Sequence, residues 1–188
     1  MTSTGHSRLA SGVTDMTTSL YDMSVASYLQ TVTAVAGYLE KAAAFCVGQG
    51  LDTSEIVDSR LFADMLPFRF QIVSVAHHSL GAIEGLKKGV FAPPGQTDPL
   101  DYQGLQKLVA DTLEGLQRVN PTEVNALQGR DMVFQIRDRQ IPFTAENFVL
   151  SFSLPNFYFH ATTAYDILRT KGVPLGKRDF LGHLRLKL

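Results

Sequence analysis

Asn156 and His160 are the residues whose types and spacing most plainly suggest chemistry. Four residues apart on a helix turning about 100° per residue, their side chains meet on one face. They stand in Ser151-Phe-Ser-Leu-Pro-Asn-Phe-Tyr-Phe-His160-Ala-Thr-Thr-Ala-Tyr165, the most apolar and aromatic run of the chain. Val149, Ser153, Asn156, His160, Thr163, Ala164 and Ile167 share that face. Phe148 and Phe152 flank it on one side, Leu150, Phe157 and Leu168 on the other. A helix apolar nearly all round is usually buried. A buried Asn and His need partners, because an unpaired polar group costs about 1–3 kcal/mol. The pair reads as a satisfied core network or as the wall of a site. Histidine, with an ordinary pKa of about 6.5, suits proton transfer. An amide can orient a carbonyl or stabilise developing negative charge.

A second source of imidazole is His77-His78, in the middle of a helix expected from Pro67 to Lys88. Phe68, Ile72, Val75, Ala76, Leu80 and Ile83 form its apolar stripe. His77 flanks the stripe beside Val73 and Leu80 and is expected to point inward. His78 is expected on the other flank, near Gln71 and Ser74. The candidate catalytic set is therefore His77, Asn156 and His160, with His160 and His77 as general base and acid. Tyr28, Asp64, Ser153 and Thr163 are the candidate substrate contacts. Tyr28 also fits interfacial packing, and Asp64 also fits capping of the next helix. No metal ligand is assigned from the residues alone.

These residues need helices to carry them. One is expected from Ser24 to Val47, stopped by Gly48-Gln-Gly50, and a shorter one follows Thr53 or Ser54 through Ile56, Val57, Leu61 and Phe62. Gly89 to Pro99 reads as a loop, and Tyr102 to Val119 as another helix. Met132–Ile136 and Gln140–Phe143 flank Arg137-Asp-Arg139 as a short β-hairpin, with Pro142 confining the second arm to an edge. Thr144 caps a last helix to Thr170, kinked at Pro155. The inventory is all-α, four substantial helices with a short β-hairpin before the last, which is a helical-bundle pattern.

At 188 residues the chain suits one domain, 18–188, behind a Ser- and Thr-rich tail, 1–17. A net charge of −1 gives no electrostatic case for nucleic acid or an anionic membrane. The single cysteine, Cys46, excludes an internal disulfide and a multi-cysteine zinc site. No apolar run reaches the roughly 18 residues of a membrane span. No signal-peptide core is present at the N-terminus, so a cytoplasmic location is expected.

Ser19-Leu-Tyr-Asp22, Asp64-Met65 before Pro67, Leu154-Pro-Asn-Phe-Tyr-Phe-His160 with Thr163-Ala-Tyr165, and Gly172-Val-Pro-Leu-Gly-Lys-Arg-Asp-Phe-Leu-Gly182 resemble an uncharacterised family of bacteria and fungi. That family is a domain of unknown function similar to the DinB-like four-helix bundles. The resemblance implies a DinB-like four-helix bundle. DinB-like proteins bind a divalent metal through three histidines, one on the second helix and two lying four apart on the last. His77 or His78 matches the first and His160 the last. Asn156 stands where the remaining histidine would be, and an amide oxygen is a poor substitute for imidazole on zinc or nickel.

Three readings follow. The first is a cofactor-free enzyme of isomerase, lyase or cyclase type, acting on a small, largely apolar molecule, with specialised metabolism as a setting. The second is a DinB-like enzyme with a divalent metal such as zinc or nickel. The third is a non-catalytic bundle that binds a ligand or forms a homodimer.

Overall fold

The structure, a computed structural model, describes residues 18–95 and 98–187; the expected tail at 1–17 lies outside the described residues. Ser19 opens α1 (Leu20–Met23) by accepting from the Asp22 amide. α2 (Val25–Gln49) ends at Gly50, whose φ of 65° provides a left-handed cap. α3 (Ser54–Val57) stops earlier than its apolar pattern suggests, and Leu61 and Phe62 are exposed beyond it.

The helix expected over 67–88 is interrupted. α4 (Phe68–Ala76) passes into a π turn at His77–Gly81 and continues as α5 (Ala82–Lys88). Asp101 caps α6 (Tyr102–Gln117), and Asn120 caps α7 (Pro121–Asn125). Thr144 caps α8 (Ala145–Phe148), as expected. A second π turn at Val149–Ser153 separates α8 from α9 (Leu154–Thr170). The backbone stays helical through Ser153 and Leu154, so Pro155 lies inside a continuous helix directly after the π turn, where the backbone hydrogen-bond pattern is already irregular.

Part of the expected loop after Gly89 is a strand. β1 (Val90–Phe91) runs parallel to β2 (Asp131–Ile136), pairing Phe91 with Phe134. β2 pairs antiparallel with β3 (Arg139–Thr144), where Pro142 faces Val133. The order β1-β2-β3 leaves β3 at an edge, the position a proline tolerates. The chain is therefore mostly helical with a small three-stranded sheet rather than all-α.

The core lies where α4 packs on α9 and α6, and α2 on α6. Phe68, Ile72, Val75 and Ser79 continue one buried stripe through the first π turn. Phe148, Ser153, Phe157, Ala161, Ala164 and Leu168 do so through the second. The step from 148 to 153 is five residues, the spacing a π turn allows. α10 (Lys177–Leu181) closes on α2 through the Lys41–Asp179 ion pair and a bond from Gln30 Nε2 to the Leu181 carbonyl at 2.9 Å. Among the described residues, no helix is long and apolar enough to cross a membrane.

Candidate functional site: a neutral histidine pair between two helices

Val149, Ser153, Thr163, Ala164 and Ile167 of the expected face are buried. Phe157 and Ala161 are buried too, while Asn156 and His160 lie half-buried at the margin. Asn156 turns back on its own helix, Nδ2 donating to the Phe152 carbonyl at 2.7 Å.

On the facing helix the expectation for the histidines is reversed. His78 is the inward residue, 9% exposed, whereas His77 is only part-buried. Gln71, Ser74 and His78 belong to the buried side of the helix, not to a flank. His77 stacks on Phe91 with centroids 4.4 Å apart, and its Nε2–H donates to the Ala92 carbonyl at 2.8 Å. That bond commits the donor which the acid role needs.

His78 and His160 instead lie together, their rings 5.8 Å apart and inclined by 19°. Phe91 and Phe152 pack against His78, and Phe70 meets His160 edge-on at 5.8 Å. His160 Nδ1 lies 2.8 Å from Gln71 Oε1. Gln71 Nε2 donates to the Leu66 carbonyl at 2.8 Å, so its oxygen faces the ring and His160 Nδ1 is the donor. A neutral His160 therefore keeps the lone pair on Nε2. His78 Nδ1 is buried with no hydrogen-bond partner.

Burial holds both rings neutral. It pushes His78 down to about 3, helped by His77 and His160 nearby, and His160 down to about 4. His77 is also lowered by burial, against the opposing pull of the Ala92 carbonyl.

Two expected substrate contacts prove to be internal. Tyr28 and Ser153 are both 0% exposed. Ser153 Oγ donates to the His78 carbonyl at 2.7 Å and accepts from the Tyr28 hydroxyl at 2.7 Å. Burial raises the Tyr28 hydroxyl well above its ordinary pKa, so it stays a donor. Thr163 is buried on α9 one turn beyond His160, and Asp64 is exposed in the bend before α4.

The donor set does not match the three imidazoles of the DinB expectation. His78 and His160 are the paired imidazoles, His77 is tied to Ala92, and Asn156 bonds its own helix. Among the described residues, no three histidine, cysteine, aspartate or glutamate side chains are grouped to hold a metal ion. The set does not fit a resident divalent ion held by three protein ligands.

Gln71 and Phe70 are the site residues that sequence reasoning missed. A glutamine among Phe68, Ile72 and Val75, seven residues before His78, was the available signal.

The helical fold is DinB-like. The crystal structure of a DinB family member protein from Shewanella denitrificans aligns with a TM-score of 0.75 at 26% sequence identity, covering 90% of this chain and 95% of that chain. Residues 20–181 match the family model described as Domain of unknown function (DUF1993), and the chain belongs to that family. A comparison with curated proteins found no match.

Proposed function

We propose that the protein is a small-molecule enzyme, a metal-independent isomerase that moves a proton with His160 as its single base. The four long helical segments are taken as a DinB-like four-helix bundle with the site between two of them. The observation that carries the reading is the His160–Gln71 bond, which spends Nδ1 and leaves Nε2 as a lone pair. Gln71 holds the tautomer as the third member of a catalytic triad does, without adding charge. His160 Nε2 takes a proton from a carbon beside a carbonyl, and the electron pair moves into the conjugated system. The imidazolium so formed returns that proton to another carbon, so one base serves as base and then acid. Asn156, one turn earlier on the same helix, retains a second N–H for the carbonyl oxygen. The acid role expected of His77 is withdrawn, because its N–H is committed to Ala92.

The test is deuterium uptake from D2O into a panel of small apolar enones, followed by mass spectrometry. His160→Gln is expected to slow it about 100-fold or more, the usual weight of general-base catalysis. Equal uptake in the two proteins would overturn the assignment.

A resident divalent ion is the competing reading, favoured by the unpartnered His78 Nδ1. Tag-free protein incubated with zinc, nickel or manganese is expected to retain well under one equivalent. One equivalent, lost in His160→Ala, would establish the metal reading instead.

A further inference from the structure

A pocket of about 290 Å³ is lined by Phe70, whose ring also meets His160, with Leu66, Pro67, Val73 and Leu100 as its other apolar walls. Two consecutive residues join it to His160. The Phe70 ring lines the pocket on one side and meets the His160 ring edge-on on the other. Gln71 holds His160 Nδ1 with its oxygen and the carbonyl of Leu66, a pocket wall, with its nitrogen. The base and the wall are therefore fastened to one side chain, itself 2% exposed. Two charged residues line the pocket: Arg69, which is paired with Asp58, and Asp98, whose carboxylate disfavours an anionic ligand.

We infer that this pocket binds the body of a neutral, mainly apolar small molecule and presents its reactive end to His160 past Phe70. The volume is at the small end of the range for ligand sites, and the walls offer apolar contact with little to recognise an anion. Phe70 is the specificity-determining residue, since its ring separates the pocket from the base. The inference rests on the role proposed for His160 only for the direction in which the ligand points.

The experiment uses N-phenyl-1-naphthylamine, a neutral fluorescent probe, and its anionic relative 8-anilino-1-naphthalenesulfonate, which adds a sulfonate to the same body. The full chain is expected to bind the neutral probe about tenfold more tightly than the sulfonate. Leu66→Asp, at an exposed wall position, and Val73→Trp, which fills the pocket, are each expected to weaken the neutral probe about tenfold. In ¹⁵N-histidine spectra, saturating probe should shift the His160 nitrogens. Unchanged affinity in folded Leu66→Asp and Val73→Trp, or a sulfonate bound as well as the neutral probe, would overturn the pocket. Binding without any response from His160 would overturn its link to the base. The two readings fail separately: loss of the pocket leaves any His160-dependent deuterium uptake standing, and uptake independent of His160 leaves probe binding standing.

Discussion

Ser153 Oγ donates to the backbone carbonyl of His78 across 2.7 Å, and each of these residues lies in a π turn. One hydroxyl thus pins the irregular turn of one helix against that of its neighbour, with the Tyr28 hydroxyl behind it. A buried carbonyl needs such a donor, and the Ser153 side chain supplies it where the two helices meet.

Removing that hydroxyl should cost more than removing the one behind it. Ser153→Ala leaves both the Tyr28 hydroxyl and the His78 carbonyl unpaired, and is expected to lower stability by about 2–4 kcal/mol. Tyr28→Phe removes only the outer donor and should cost about 1 kcal/mol. The double variant should cost less than the sum, since the groups act as one chain. Urea unfolding of the four proteins checks this; additive losses would mean the chain is not coupled.

Gln71→Glu places a carboxylate where an amide oxygen now accepts from His160 Nδ1. An opposite charge in contact favours the imidazolium, so the His160 pKa should rise from about 4. An NMR titration of His160 reads this directly. An unmoved pKa would show that Gln71 does not hold the ring.

Gly85 leaves no room for a side chain. A Cβ there would lie 3.0 Å from Phe91 Cδ2 and 3.2 Å from the Val90 carbonyl oxygen. Phe91 is buried among His77, His78, Phe148 and Phe152, so it cannot retreat freely. Gly85→Ala gains about 1 kcal/mol of helix propensity but must displace β1. A net loss of about 1–2 kcal/mol is expected by thermal or urea unfolding.

The sequence was legible where a regular period or a cap decides the structure. Thr144, Gly50 and Pro142 each perform the role their chemistry implies. The choice between His77 and His78 was not legible because the buried side of α4 is wider than its apolar stripe: Gln71, Ser74 and His78 lie on it at ordinary helical spacing, and a polar residue gives no hydropathy signal of its burial. The two π turns were illegible because no regular 3.6-residue period marks them. β1 was illegible because two residues carry no alternation, and its partner lies some 40 residues on. Tyr28 and Ser153 were found as polar residues on apolar faces, but only the packed helices reveal that they satisfy each other.

The histidine pair makes stability depend on pH in a direction set by burial. Well above pH 6.5 both rings are neutral in the folded and unfolded chains, and neither contributes to the slope. Below 6.5 the unfolded chain takes up protons, while folded His160 waits until about 4 and His78 until about 3. Unfolding then binds protons, so stability falls as the pH falls through this window. Each histidine contributes at most about 1.4 kcal/mol per pH unit, and half-buried His160 less because solvent screens it. His78→Leu removes one titrating group and the unpartnered Nδ1. It is expected to match or exceed the wild-type stability at pH 7 and to flatten the slope between pH 6.5 and 4.5, which lies in the same window. Urea midpoints across that range decide it; an unchanged slope would mean that His78 takes up its proton in the folded protein as readily as in the unfolded chain.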